Sequence, residues 1–454
     1  MRQIRHSEID MTQGSVVAQL IAFSIPLLLG EVFQQLYNTA DTLIVGRFVS
    51  KQALAAVSAT SNIVNILIGL FAGISTGATV DISNRFGAQD DTGLKRSVQT
   101  TLWFTAALGV AFTAVGIVFT PLMLRLLGTP EDVFLSARLY LTVYFAGVLG
   151  LVFYNMCSAI LRATGDTRRP LCVLIICATV NTLLDLVFVL VVPLGVLGVG
   201  LATILSQFIS AFILLRMMWN TEQLGMREAV QPHIDPAILR RILDVGLPVG
   251  LQKSIISFSN NIVASYVNRF GSGAMAAWGV HLRIDQLINH TVQSMSVATT
   301  TFVAQNLGAA KPERIRRGVR TAMLISLGIS AIYAVIFVIF RDSISSGFNK
   351  DREVIAYGST LILYLAPLQM INTVTQIDAG ALRGEGDSKG PMFIMTFCFV
   401  AVRQLYLYLG FPKYGSFLFT ILSYPFTWIV CALLLQFYIY GYKRHWSKTT
   451  SYLS

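Results

Sequence analysis

The sequence predicts an all-α, polytopic membrane protein: about twelve transmembrane helices in two pseudo-symmetric six-helix lobes, arranged as a parallel repeat. Three observations predict it. The chain of 454 residues is 54% hydrophobic and only 13% charged, where a soluble domain averages about 25% charged. Its mean hydropathy is +0.64, and apolar runs of about 20 or more residues recur from end to end, the length a helix needs to cross a bilayer. Short alternating segments, which a membrane β-barrel would show, do not occur. Finally, the second half of the chain repeats motifs of the first in a constant register, Leu161 recurring as Leu382 and Gly87 as Gly308.

The spans are expected near 16–46, 53–81, 97–120, 134–160, 171–192, 197–218, 245–269, 274–304, 318–340, 353–380, 391–411 and 415–441. Several are longer than the roughly 20 residues of a perpendicular crossing, which implies tilt or extension into water. Gly128-Thr129-Pro130, Pro193-Leu194-Gly195 and Phe411-Pro412 punctuate them as turns. Residues 1–218 then form the first lobe, 219–244 a cytoplasmic linker with an amphipathic piece around Asp235–Leu243, and 245–454 the second lobe.

The repeat is read from its loops. Leu161-Arg162-Ala163-Thr164-Gly165-Asp166 with Pro170 matches Leu382-Arg383-Gly384-Glu385-Gly386-Asp387 with Pro391. Gly87-Ala88, Arg96 and Val98 match Gly308-Ala309, Arg317 and Val319, and Pro26 pairs with Pro248 one residue out of register. Two six-helix units that both start on the inner side are related by an axis along the membrane normal. Each Arg-x-x-Gly-Asp loop reads as a hinge in which the glycine makes the tight turn and the Arg and Asp pair or cap helix ends.

Charge sets the orientation. With the N terminus inside, the inner segments carry 22 Lys and Arg, from Arg2 and Arg5 to Arg444 and Lys448, and the outer segments eight. The positive-inside rule then puts both termini in the cytoplasm of a protein of the cell (inner) membrane. The same rule explains the net charge of +11 without nucleic acid. Met1–Gln13 is polar and the first apolar segment is too long for a signal h-region, so no cleavable signal is expected. Cys157, Cys172, Cys177, Cys398 and Cys431 all fall in apolar segments as small core residues. His281 and His290 stand nine residues apart, a poor spacing for a metal on one helix. No GxxxxGK[ST], HExxH or CxxC occurs. No catalytic residue, cofactor or enzyme activity is expected.

The chemistry lies in polar residues at membrane depth. Glu31, Gln34, Asn38 and Asp41 form one narrow stripe of the first span. A carboxylate there costs roughly 2.5–3.5 kcal/mol on insertion scales. The fifth span adds Asn181 and Asp185, one turn apart; the fourth adds Tyr144 and Asn155; the sixth adds Thr203 and Gln207. Carboxylates grouped without a basic partner share protons and can hold a proton, a sodium ion or an organic cation in exchange. Competing with that is a structural hydrogen-bond network. The second lobe has mixed signs: Lys253, Arg283, Asp285, Asp378 and Arg403. Internal ion pairs, such as Lys253 or Arg403 with Asp285 or Asp378, are expected there. At the repeat positions of Asn181 and Asp185 stand Val402 and Tyr406, so the acid pair is confined to the first lobe.

On Gln34, Tyr37-Asn38-x-x-Asp41-Thr42, on Asn181-x-x-x-Asp185, on the twin loops LRATGDTRRP and LRGEGDSKGP, and on Phe86-Gly87-Ala88 and Leu307-Gly308-Ala309, the chain resembles the multidrug and toxic compound extrusion (MATE) transporters. The resemblance runs from about Ser15 to Tyr442. It implies two six-helix bundles, and efflux of cationic amphipathic drugs in exchange for H+ or Na+. It also implies a cation or proton site at Asp41, Asn181, Asp185 and Thr203, where Na+ is the one metal ion in view. Glu31, Gln34, Tyr37, Asn38, Tyr144 and Asn155 are expected to line the substrate cavity. A second sodium site that some members carry falls here on Ile256, Leu368 and Asn372, which cannot supply its acids.

The expected function is therefore alternating-access antiport by a monomer whose partners are small cationic compounds, H+ or Na+, and the lipid bilayer. Two other functions are weighed. A flippase or exporter of a lipid-linked or anionic cargo would use Lys253, Arg283 and Arg403. A membrane-embedded enzyme would need a catalytic cluster near one interface, and none is found. A channel would need a repeated selectivity filter, and none is present.

Overall fold

Long apolar segments with few helix breakers fold here as helices, because in lipid every backbone N–H and C=O must find its partner within the segment. A computed structural model describes residues 9–49 and 51–443. Arg2, Arg5, Arg444 and Lys448, and both termini, lie outside the described residues. Among the described residues there is no strand.

In chain order the first helices are α1 (Val16–Phe48), α2 (Lys51–Gly87), α3 (Asp91–Leu126), α4 (Glu131–Ala146), α5 (Val148–Ala163), α6 (Arg168–Leu186) and α7 (Val196–Trp219). They are followed by α8 (Pro236–Val267), α9 (Ser272–Gly308), α10 (Pro312–Ile339), α11 (Arg341–Phe348), α12 (Arg352–Gly384), α13 (Lys389–Thr396), α14 (Arg403–Tyr414) and α15 (Phe417–Phe437). The expected fourth span is broken: α4 and α5 meet at Gly147 with a bend of 46°. The eleventh is α13 and α14 joined by a π turn at Phe397–Val402. Short α11 has no counterpart among the expected spans.

By length and apolarity, nine helices among the described residues qualify to cross a membrane, and the α4–α5 pair makes a tenth. The remaining two expected spans are α8 and α9, of 32 and 37 residues. Their length suffices; charges such as Arg240, Arg241 and Lys253 on one and Arg283 and Asp285 on the other dilute their apolarity.

The chain forms two compact units. One takes the chain up to Gly14, Ala22–Gly250 and Ala304–Ala310; the other takes Ser15–Ile21, Leu251–Val303 and Lys311 onward. In the first unit, Leu67, Phe71, Ile74, Leu141, Phe145 and Met156 are among the buried residues of one core, and Ile82, Val98, Ile160 and Leu214 of another. The segment expected as a linker is docked on this unit. Leu224, Met226 and Ala229 enter its core. Trp103 Nε1 donates to the Ala229 carbonyl at 2.9 Å and Gln99 Nε2 to that of Gln231 at 2.8 Å. Asp235 then caps α8, accepting from the Ala237 and Ile238 N–H groups at 2.9 and 3.2 Å. In the second unit, Leu382, Met395, Phe399, Trp428 and Leu435 belong to one core and Trp278, Leu361, Phe417 and Ile421 to another.

The repeat holds at the level of single hydrogen bonds. Thr79 Oγ1 donates to the Ala159 carbonyl at 3.4 Å and Thr300 Oγ1 to that of Gly380 at 2.9 Å, donor and acceptor both keeping the register of the loop motifs. Gly165 and Gly386 turn with φ +93° and +88°, a conformation that side chains disfavour. Asp166 and Asp387 each donate their N–H to the carbonyl of the matching leucine at 2.9 Å, closing the helix ends as Schellman-type turns.

The acids of these loops do cap the next helix, but they do not pair with the arginines of their own motif. Asp166 accepts from the Arg168 and Arg169 N–H groups and pairs with the Arg169 guanidinium at 2.9 Å. Asp387 accepts from Gly390 N–H and from the Tyr438 hydroxyl at 2.7 Å. Arg383 reaches Gln252 Oε1 at 3.3 Å instead. Four of the five cysteines are buried as expected; Cys172 is exposed.

Candidate functional site: an acid pair in the first unit

Three helices of the first unit build the site. Asn181 and Asp185 are one turn apart on α6, so both project from the same face; they are 1% and 0% exposed. Asp41 comes from α1 and Thr203 from α7. Oriented by its hydrogen bonds, the Asn181 amide donates to Asp41 Oδ1 at 2.9 Å and accepts from the Thr203 N–H at 3.3 Å. The Asp41 and Asp185 carboxyl groups lie close enough to couple electrostatically. Two buried carboxyl groups so placed favour holding a proton, or a cation. Asp185 Oδ1 is buried and accepts no hydrogen bond from the described residues.

Around the pair stand hydroxyls and no base. Tyr37 on α1 and Tyr140 on α4 lie within electrostatic reach of both acids, and Tyr144 within reach of Tyr140. Among the described residues no Lys or Arg contacts Asp41 or Asp185. Nor, among them, does any group of three His, Cys, Asp or Glu form there. Carboxylate and amide oxygens suit a proton or a hard monovalent cation over a transition metal.

Other expected site residues do not join the acid pair. Gln34 and Asn38 are exposed, and Asn155 spends its amide on the Leu151 carbonyl of its own helix at 2.8 Å. Glu31 lies ten residues before Asp41, which is about 15 Å along a helix. It interacts electrostatically with Arg162 and Tyr154, so the expectation of acids without any base fails for Glu31. Sequence reading passed over Tyr140, whose spacing of four from Tyr144 was the available signal.

In the second unit the charges do not assemble as expected. Arg403, 2% exposed, donates to Asn260 Oδ1 at 2.8 Å and to Thr427 Oγ1 at 3.0 Å. Its guanidinium sits 4.2 Å from the Tyr424 ring centroid and 5.1 Å from that of Phe399. Aromatic faces and neutral oxygens thus hold this cation, and it pairs with neither Asp285 nor Asp378. Asp285 accepts from Asn289 at 2.6 Å, and Asn289 in turn accepts from Gln369 at 3.1 Å. Asp378 accepts from Gln436. Arg283 is exposed. His281 packs on Trp278, ring centroids 5.3 Å apart.

The same two-part layout marks the chain's relatives. The MatE family model matches residues 26–187 and again 248–409. The chain belongs to the MatE family. This is a family of multi-pass multidrug efflux transporters, and its members are not enzymes. Among the chain's relatives is the "Probable multidrug resistance protein YoeA" of Bacillus subtilis, 29% identical over 447 residues and covering 96% of both chains. A structure of an outward-facing multidrug resistance MATE family transporter of the MOP superfamily aligns with a TM-score of 0.88. It is 22% identical and covers 98% of this chain and 99% of its own. A MOP superfamily transporter from Pyrococcus furiosus, described as having a binding pocket of reverse polarity, also aligns at 0.88. That protein is 21% identical, covering 99% of this chain and all of its own. These structural likenesses establish the fold.

Proposed function

We propose that this MatE protein is a secondary antiporter that exports cationic, amphipathic compounds in exchange for H+ or Na+ entering the cell. It works as a monomer in the cell (inner) membrane, both termini cytoplasmic. Lobes 1–218 and 245–454, joined by 219–244, alternate access. The observation that carries the reading is the electrostatically coupled Asp41–Asp185 pair, with Asp41 tied through Asn181 to Thr203 and both acids free of contacting bases among the described residues.

Such a pair takes up positive charge readily, because with none it leaves two desolvated carboxylates facing one another. A proton, a sodium ion and an organic cation therefore compete for it. Coupling follows if ion and cargo favour different conformations. Tyr37, Tyr140 and Tyr144 offer aromatic faces to the cargo's cationic group.

The test is ethidium transport in proteoliposomes under separately imposed proton and sodium gradients. One gradient is expected to drive it, and Asp41→Asn and Asp185→Asn are expected to abolish that drive. Full transport in both variants overturns the reading. A second reading, export of an anionic or lipid-linked cargo, is favoured by the buried Arg403 guanidinium. It predicts that Arg403→Gln, and not Asp41→Asn, abolishes transport.

A further inference from the structure

Most of α9 belongs to the second unit, but its last residues, from Ala304 on, belong to the first. Two side chains at that end, Gln305 and Asn306, are fully buried, and both clamp the backbone of one residue. Gln305 Oε1 accepts from the Met11 N–H at 3.0 Å, and Asn306 Nδ2 donates to the Met11 carbonyl at 3.0 Å. Gln305 Nε2 donates in turn to the carbonyl of Ala163, the last residue of α5, at 2.9 Å. The same carbonyl accepts from the Ser83 hydroxyl at 3.1 Å. Capture of a main-chain N–H and C=O by fixed partners is how proteins hold a peptide segment. Here the captured peptide is the chain's own segment 9–12.

The segment is shaped to sit there. Asp10 accepts from both the N–H and the hydroxyl of Thr12, at 2.8 and 2.7 Å, a local turn that brackets Met11. Ile9 donates its N–H to the Gly165 carbonyl at 3.2 Å, and a Cβ on Gly165 would stand 2.2 Å from the Ile9 carbonyl oxygen. Met11 is itself 0% exposed. The end of α9 is held in a conformation that it does not prefer. Just past Gly308, Ala310 turns with φ +53°, and at the repeat position after α2, Gln89 turns with φ +56°. Residues with side chains keep such a backbone only where their surroundings impose it. The end of α9 therefore relaxes if its contacts open.

We propose that segment 9–12 is a strap that fastens the end of α9 to the first unit and lets go in each transport cycle. The inference rests on the alternating-access reading above. Gln305 and Asn306 come from lobe 245–454, whereas Met11 and Ala163 come from lobe 1–218. Lobes that alternate access cannot keep this fastening intact throughout. The loops around it, with Arg162, Arg168 and Lys311, are inner segments by the positive-inside count, which puts the strap at the cytoplasmic end. Once the strap is open, water reaches the amides of Gln305 and Asn306, so release leaves no orphaned polar group. The clamp is made between neutral amides, and it opens and reforms without a proton or an ion of its own. Release is an order–disorder change of a short segment, a common form of switch.

The experiment uses the full chain with Met11→Cys, since the clamp takes backbone atoms of this residue. Exposed Cys172 is changed to alanine, and buried Cys157 serves as the internal reference. In detergent, N-ethylmaleimide is expected to label Met11→Cys at least about tenfold faster than Cys157, because a locally opening segment exposes it. In proteoliposomes, Met11→Cys and Asn306→Cys are joined by a short bis-methanethiosulfonate. Ethidium transport is then expected to fall at least about tenfold and to return with dithiothreitol. Labelling of Met11→Cys and Cys157 at one rate overturns the strap. So does a cross-linked protein that transports as before, which makes the contact a permanent joint. Equal loss in the singly substituted proteins, treated alike, overturns it too, since nothing is fastened there. Wild type that moves ethidium under neither gradient sinks the antiport reading instead, and the labelling ratio then decides the strap alone. Should the paired variant fail to fold, the labelling of Met11→Cys again decides.

Discussion

The two units share a repeat and differ in what their buried charges touch. In the first, Asp41 and Asp185 couple to one another electrostatically, with the Asn181 amide on Asp41 between the helices. In the second, Asp285 meets Asn289, Asp378 meets Gln436, and Arg403 meets two aromatic rings, an amide and a hydroxyl. An acid that faces an amide donor and no second acid is satisfied by the protein alone. An acid facing an acid is satisfied only when something positive arrives. The fold is thus duplicated while the demand for a mobile cation exists on one side.

The sharpest way to break this contrast is to neutralise acids on both sides. Asp41→Asn and Asp185→Asn are expected to lower ion-driven ethidium transport by roughly 100-fold. Asp285→Asn and Asp378→Asn are expected to stay within about threefold, since their amide partners retain an acceptor. Equal losses in all four, measured in proteoliposomes at matched protein content, would erase the distinction between the units.

Next in size comes Arg403. Truncating this buried side chain with Arg403→Ala leaves a cavity between Tyr424, Phe399 and Thr427 and is expected to cost about 2–5 kcal/mol. Transport per folded molecule should hold within about threefold. Arg403→Met refills much of the volume and removes a buried charge, so it should be the milder change. Thermal unfolding in detergent ranks the two. A wild-type melting temperature with abolished transport would instead make Arg403 a cargo residue.

Much of this was legible in the sequence because lipid leaves few choices. Helices, their number, the register of the repeat and the residues Asp41, Asn181 and Asp185 follow from apolar length, repetition and the cost of a carboxylate at membrane depth. Partnerships were harder. Sequence spacing places Arg162 next to Asp166, yet the capping turn directs that carboxylate to Arg169. Mixed charges in the second half suggested ion pairs, but an amide one turn away, Asn289, reaches Asp285 first. The docked linker escaped notice because its anchors, Trp103 and Thr100, lie more than a hundred residues upstream. Spacing reports which face a side chain occupies; it does not report which of several neighbours is nearest.

A smaller effect tests whether the repeat is a packing unit as well as a pattern. The ends of α2 and α9 meet in the first unit through equivalent glycines. A Cβ on Gly87 would stand 1.8 Å from the Gln305 carbonyl oxygen, and one on Gly308 1.9 Å from that of Asn84. Backbone must move to admit either, so Gly87→Ala and Gly308→Ala are each expected to destabilise by about 1–3 kcal/mol. Gly328, inside α10 with nothing within 4 Å, is the control: alanine there should be neutral or stabilising by up to about 1 kcal/mol. A lower melting temperature for Gly328→Ala than for Gly308→Ala would contradict the crossing.

The smallest expected effect concerns the point where the chain leaves the first unit. Helix α8 contributes to that unit as far as Gly250 and to the other from Leu251, and Asp235 begins it. N–H groups of Ile238 and Ala237 bonded to the Asp235 carboxylate hold it below the usual aspartate range, with His233 and Arg85 adding to the shift. A carboxyl depressed in the folded state stabilises above its unfolded value, and that contribution disappears as pH falls through the folded one. Asp235→Ala should therefore speed amide exchange in the first turn of α8 near neutral pH and leave transport unchanged. In acid, once this carboxyl is protonated, wild type and variant should exchange alike. A difference that persists in acid would mean that docking on Thr100 and the Ala229 segment, and not the cap, orders this end of the helix.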